Sequence, residues 1–66
     1  MEVTVNGETT ELAPGMTIAG LLEQMNLTER RVAVEINQAI VPRSEHASHV
    51  IKTADAIEIV HAIGGG

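Results

Sequence analysis

Three histidines, two of them beside a glutamate, are the side chains of this sequence best suited to metal chemistry. His46 and His49 lie three residues apart next to Glu45, so a helical turn would bring them together as metal ligands. His61 lies in a different segment, and two histidines with one acid are an incomplete ligand set. We therefore interpret the histidines as surface residues of a loop and predict no metal site.

The same stretch also contains the residue types of a serine nucleophile with a histidine base. Ser44 and Ser48 lie within six residues of the acid and both histidines. Side chains this close in sequence can neither line up as nucleophile, base and orienting acid nor build an oxyanion hole. A polar loop is the simpler interpretation, and we predict that the domain is not an enzyme.

The remaining candidate is the segment “EIVHAIGGG”, which places three of the six glycines at residues 64–66. Glycine loses more backbone freedom on ordering than any other residue, so we expect this tail to be mobile in the isolated protein. Either the tail is incidental, or the carboxylate of Gly66 is the working group and must reach a narrow site.

Composition narrows the classes of partner. The 66 residues carry a net charge of −5, which disfavours nucleic acids and anionic membrane surfaces, and they include no aromatic residue for base stacking. Without cysteine, there is neither a disulfide nor a thiolate site. No apolar run is long enough to span a membrane, so we expect a cytoplasmic protein, monomeric when free.

Alternating apolar residues predict strands, and one helical stripe predicts a helix. Val3 and Val5 mark a strand that turns at Asn6-Gly7 into a polar edge strand. Thr17 is the predicted N-cap of a helix that ends near Asn26. The apolar stripe of this helix comprises Ile18, Leu21, Leu22 and Met25.

The second half of the chain adds the strands “VAVEIN” and “IEIVH”, with “QAIVPR” restricted to a sheet edge by Pro42. Between them, “SEHASHVIK” is predicted as a short helical turn or irregular segment with Val50 and Ile51 facing inward. The predicted fold class is α+β, with a mixed four- to five-stranded sheet and one helix packed on one face. We predict a domain over residues 1–63 and a glycine tail over residues 64–66.

One helix covers one face of the sheet, so the other face should be open and acidic. The predicted open face comprises Glu2, Thr4, Glu35, Glu58 and Val60. A carboxylate pair of Glu35 and Glu58 would lack the cleft that acid–base catalysis needs. We predict instead that Val60, Glu35 and Glu58 dock a basic and apolar patch of a partner protein, with Arg43 as a weaker candidate for the same surface.

The whole chain resembles the ubiquitin-like β-grasp sulfur carriers, most closely the ThiS family of thiamine thiazole biosynthesis, and four segments carry the resemblance. They are “VNGE”, “TIAGLLEQM”, “VAVEINQAIVPRSE” and “IEIVHAIGGG”, and “VEIN..IVPR” followed by a terminal di-glycine is the most specific part. The chain departs from its relatives at two places. Such proteins often have Trp where His46 stands, and Gly-Asp where Ala54-Asp55 stand.

The resemblance implies that partner enzymes act on Gly66. A ThiF-like adenylyltransferase would consume ATP to convert its carboxylate into an acyl-adenylate, and a sulfur-donor enzyme would then leave a thiocarboxylate. A ThiG-like thiazole synthase would receive the sulfur, and the chain itself would bind no cofactor. Gly64 and Gly65 would enter the partner's active site, where three extended glycines reach about 10 Å.

Three alternatives remain open on the sequence. The chain could be a β-grasp sulfur carrier of another pathway, serving molybdopterin, tRNA thiolation or cysteine synthesis. It could also be a ubiquitin-like modifier joined to lysines of other proteins. A passive interaction domain, whose tail has no chemistry, is the third.

Overall fold

The first two strands form the predicted hairpin in a computed structural model of the protein, which describes residues 1–28 and 31–61. Strand β1 (Glu2–Val5) pairs antiparallel with β2 (Glu8–Glu11). Asn6 and Gly7 connect them with φ angles of 51° and 84°. Positive φ at both positions is typical of a type I′ turn, whose twist matches that of the flanking strands.

Helix α1 (Ile18–Gln24) begins and ends where local signals predict. The Thr17 side chain accepts a hydrogen bond of 3.1 Å from the Gly20 amide, as an N-cap does. At the other end Asn26 has a φ of 61°, and the Leu27 amide donates to the Leu22 carbonyl. This left-handed residue with its 6→1 hydrogen bond is a Schellman ending, which stops the helix. No helix within residues 1–28 and 31–61 has the length and apolar character needed to cross a membrane.

The second half of the chain adds a second hairpin and the central strand. Strand β3 (Val32–Ile36) pairs antiparallel with β4 (Ala39–Val41), and a 3₁₀ turn (Arg43–Glu45) follows before β5 (Ala56–His61). The sheet order is β2-β1-β5-β3-β4, with β1 and β5 parallel and the other pairs antiparallel. This confirms the predicted mixed sheet, with five strands.

The hydrophobic core lies between the sheet and α1, and its apolar side chains are all aliphatic. The buried apolar residues are Val3, Val5, Leu12, Ile18, Leu21, Leu22, Val34, Ile36, Val41, Ile51, Ile57 and Ile59. The alternation of the strands therefore predicts the core correctly. Burial of these branched side chains, at about 25 cal/mol per Å² of apolar surface, is the main term that stabilises the domain.

Two core assignments from the sequence are wrong. Met25 was expected in the buried stripe, but the helix ends at Gln24, so Met25 is its C-cap and is 38% exposed. Val50 was expected to face inward with Ile51, but it is 47% exposed. Its neighbour in sequence takes the core position, because successive residues of an extended segment point to opposite sides.

The segment between β4 and β5 is fixed by backbone hydrogen bonds to the start of α1. The amide of Ile18 donates to the His49 carbonyl at 3.1 Å, and the amide of Ala19 donates to the His46 carbonyl at 2.9 Å. Amides of the first helical turn have no partner inside the helix, so these carbonyls satisfy both groups. The segment and the helix are therefore positioned together.

Candidate partner-binding face and tail

The sheet face opposite α1 brings together three of the residues predicted to dock a partner. Glu35 of β3 lies directly opposite Glu58 of β5. Two residues further along β5, Val60 lies opposite Ala33. Val60 is 54% exposed and Glu58 is exposed, while Glu35 is half-buried. The face thus combines two neighbouring carboxylates with an apolar contact point.

Glu35 and Glu58 form a like-charged cross-strand pair. Side chains at directly opposite positions have Cβ atoms about 4.5–5.5 Å apart, and like charges there destabilise a sheet. Within residues 1–28 and 31–61, neither carboxylate forms a salt bridge with a basic group. By this rule we expect the pair to weaken the isolated fold, and a cationic group of a partner would remove that cost.

Ile40 is an exposed residue of this face that the sequence reasoning missed. It lies opposite Glu35 on the other side of β3 and is 70% exposed. The local signal for its position is the turn at Asn37-Gln38, where both residues have positive φ, as in the first hairpin. A two-residue turn there sets the register and directs Ile40 to the open side. We call the set of Ala33, Glu35, Ile40, Glu58 and Val60 the docking face.

Arg43 is not grouped with these residues. It lies in the 3₁₀ turn and lines a hollow beside α1 together with Ala19 and Leu22. Since α1 covers the sheet face opposite to the docking face, this position differs from the one expected for Arg43. Its assignment to the surface around Val60 is therefore corrected, because the chain turns toward the helix after Pro42.

His46 is buried, which corrects its assignment as a surface residue. The residue is 7% exposed, and its Nε2 lies 3.0 Å from the carbonyl oxygen of Val41. In the tautomer protonated at this nitrogen, Nε2 donates to the last carbonyl of edge strand β4. His46 therefore has a structural role in attaching the 43–49 segment to the sheet edge.

The other polar residues of this segment do not assemble a site in the described part of the chain. Ser48 donates its hydroxyl to the Glu45 carbonyl at 3.4 Å, which is a local loop contact. Across residues 1–28 and 31–61, no three histidine, cysteine or acidic side chains are grouped so that they could hold a metal ion.

The tail follows β5 at the end of the sheet where β3 begins. His61, the last described residue, lies opposite Val32. Gly64, Gly65 and Gly66, predicted from the sequence as the working segment, lie outside the described residues, as does the boundary at residue 63. Val60 on the docking face is six residues from Gly66 in sequence, so a partner seated on this face is within reach of the tail.

Comparisons with known proteins agree on one family. Residues 3–66 match the family described as the ThiS family. The sulfur carrier protein ThiS of Escherichia coli (strain K12) is 36% identical over 66 residues, which cover all of both chains. The crystal structure of the thiamine biosynthesis protein (ThiS) from Geobacter metallireducens superposes with a TM-score of 0.86 at 29% identity and covers both chains completely. This likeness confirms the ubiquitin-like β-grasp fold expected from the sequence.

A larger protein also contains a similar segment. The thiazole synthase of Paramagnetospirillum magneticum is 41% identical over 66 residues, which are all of this chain but 20% of that protein. The chain thus spans about a fifth of the length of the curated thiazole synthases that it matches.

Proposed function

The chain belongs to the ThiS family, and we propose that it is the sulfur carrier of thiamine thiazole biosynthesis, with the sulfur held on Gly66. The match to the family runs to residue 66, so it includes the glycines as well as the folded domain. This continuous match is the observation that carries the proposal. The domain contributes recognition, and the carboxylate of Gly66 contributes the reacting atoms.

The proposed chemistry has two steps, both catalysed by partner enzymes. A carboxylate is a poor electrophile, so one of its oxygens first attacks the α-phosphorus of ATP and releases pyrophosphate, which leaves an acyl-adenylate on Gly66. A sulfur nucleophile, in its simplest form hydrosulfide, then attacks the acyl carbon. The bond to AMP breaks, and a thiocarboxylate remains. The chain is a protein substrate in both steps and supplies no acid or base.

Glycine at the reacting end suits both steps. Without a side chain on Gly66, the acyl carbon is open to attack from either side. The five residues after His61 reach at most about 17 Å when extended. This length separates the folded domain from the reaction centre, so the docking face can rest on a partner's surface while the carboxylate enters its active site.

Thiazole synthase is the proposed acceptor of the sulfur. The thiazole synthase of Paramagnetospirillum magneticum contains a segment 41% identical to this whole chain. Joining a carrier to its acceptor raises their effective concentration toward the millimolar range, which replaces binding between separate chains. An adenylyltransferase and a sulfur donor are the other two proposed partners.

The docking face is the proposed contact with the adenylyltransferase. A partner that presents arginine or lysine to Glu35 and Glu58 would neutralise a pair that weakens the free fold. Val60 and Ile40 flank the acidic pair with exposed apolar surface, which resembles the composition of transient protein interfaces. Electrostatic attraction of this kind chiefly raises the rate of association.

The test of the proposal is the intact mass of the chain after incubation with its adenylyltransferase, ATP and a sulfur source. Replacement of oxygen by sulfur adds nearly the same mass as methionine oxidation, and the chain has three methionines. Alkylation with a thiol reagent separates the two, because the sequence contains no cysteine that would react. We expect one alkyl group, mapping to Gly66, and none on a control chain that lacks residues 64–66.

The alternatives give different products in the same experiment. A ubiquitin-like modifier would form an isopeptide with lysines of other proteins, seen as higher-mass conjugates that resist thiol reagents. A passive domain would gain no mass with an enzyme that modifies a control carrier. A carrier of another pathway would become alkylated but would not transfer its sulfur to thiazole synthase in a reconstituted assay.

A further inference from the structure

A hollow on the helix side of the domain is separate from the docking face. It lies between α1 and the segment after β4, has a volume of about 290 Å³, and is lined by Ala19, Leu22, Thr28, Arg43, His46 and Ala47. We call it the helix-side hollow. Its volume is near the lower limit of pockets that hold small ligands and above the roughly 150 Å³ of a cavity that holds benzene.

The walls of the helix-side hollow are fixed in the folded chain. His46 is held through its ring to the Val41 carbonyl at 3.0 Å, and through its own carbonyl to the Ala19 amide at 2.9 Å. Leu22 is part of the buried core. A ligand would therefore meet a preformed surface, and little conformational entropy would be lost on binding.

The hollow combines an apolar lining with one cation at an exposed position. Leu22, Ala19 and Ala47 supply aliphatic surface, while the exposed Arg43 supplies a guanidinium. In the part of the chain that the structure describes, Arg43 forms no salt bridge. A guanidinium pairs with carboxylates through two parallel hydrogen bonds. On a chain of net charge −5, this is a site of opposite character to the docking face.

We propose that the helix-side hollow binds a partner protein through an aliphatic side chain and a carboxylate side chain close to it. The aliphatic group enters the hollow against Leu22, and the carboxylate pairs with Arg43. Because α1 and the docking face lie on opposite sides of the sheet, a second partner can bind here while the first holds the docking face. The proposal does not depend on the sulfur chemistry of the tail.

The test uses two capped dipeptides, acetyl-Leu-Asp-amide and acetyl-Leu-Asn-amide, titrated into the ¹⁵N-labelled protein and followed by amide chemical shifts. For the aspartate peptide we expect saturable shifts at Ala19, Leu22 and Ala47, with a dissociation constant in the millimolar range usual for fragments. The asparagine peptide should bind about fivefold more weakly, because it lacks the charge that pairs with the guanidinium.

Two variants identify the group responsible. Arg43→Gln should reduce the affinity for the aspartate peptide to that of the asparagine peptide, whereas Lys52→Gln, an equal charge change at another exposed position, should leave it unchanged. Equal affinities of the two peptides, shifts that do not saturate, or shifts outside the hollow would overturn the proposal. Shifts of the same amides that depend on protein concentration without peptide would assign the hollow to a second copy and would also overturn it.

Discussion

Reversing the charge of Glu58 should make the domain more stable and a poorer partner at the same time. Glu58→Lys places an ammonium group opposite Glu35 on the neighbouring strand, so a repulsive cross-strand pair becomes an attractive one. The substituted position is exposed, so the change leaves the core intact. If the variant is more stable but binds its partner more slowly, Glu58 acts in recognition; a residue that only supports the fold would lose stability when it is replaced.

The expected gain in stability follows from the spacing of the strands. Two unit charges about 5 Å apart in water interact with about 0.8 kcal/mol, and the substitution changes the sign of that term. After screening at physiological salt, the free energy of unfolding should rise by about 1 kcal/mol. For a domain this small, such a gain moves the urea midpoint upward by roughly 1 M.

The expected loss is in the rate of association with the adenylyltransferase. A change of two charge units about 6 Å from a cation of the partner weakens attraction by about 1.4 kcal/mol, or roughly tenfold. Stopped-flow mixing at low and at physiological salt measures this rate, and the difference from the unaltered chain should shrink as salt rises.

The matched control is Glu23→Lys, which makes the same change of net charge at an exposed position of α1. Association of this control should remain within about twofold of the unaltered chain, since steering by net charge alone is weak at physiological salt. Equal rates for the two variants would refute the docking face. A Glu58→Lys variant less stable than the unaltered chain would refute the claim that the acidic pair weakens the fold.

Two further predictions concern the turn before β5. Ala54 has a φ of 72°, a left-handed conformation that disfavours residues with a side chain. Ala54→Gly should therefore raise the free energy of unfolding, measured in urea, by about 0.5–1 kcal/mol. As a control, Ala56→Gly in strand β5 should lower it by a similar amount. The Asp55 carboxylate accepts hydrogen bonds from the Lys52 amide at 2.8 Å and the Asn37 side chain at 3.1 Å. Asp55→Ala should therefore lower the melting temperature and reduce the free energy of unfolding by about 2 kcal/mol. Asp55→Asn should reduce it less, because one acceptor oxygen remains. Equal reductions for the two variants would contradict this role of the carboxylate.

Elements specified by neighbouring residues could be predicted from the sequence. The Asn6-Gly7 turn, the Thr17 cap and the alternation of apolar residues each act over a few positions, and the structure confirms all of them. Val50 shows where this reasoning fails. Apolar character alone predicts both Val50 and its neighbour Ile51 in the core. However, Val50 forms an isolated antiparallel bridge with Thr17, and in such extended backbone only one of two neighbours can face inward.

The environments of His46 and Arg43 depend on segments distant in sequence. His46 is enclosed because β4 and the start of α1 meet around it, and no local pattern shows that they do. Arg43 faces the helix-side hollow for the same reason. Whether a loop residue is buried depends on its tertiary contacts. Composition and spacing therefore predict a solvated loop for residues 43–49, whereas in the structure Arg43 and His46 line the helix-side hollow.

The docking face was predictable in composition but not in register. Alternation assigned Glu35, Glu58 and Val60 to one side of the sheet, yet only strand pairing shows that the two acids are direct neighbours. We expect that pairing to lower the stability of a small domain without disulfides, in which 1 kcal/mol is a substantial part of the free energy of unfolding. A residue that is unfavourable for the stability of the fold is expected where that residue has a function, such as binding a partner. Since the face combines the acids with exposed aliphatic residues, the requirement that we propose for this arrangement is a basic protein partner.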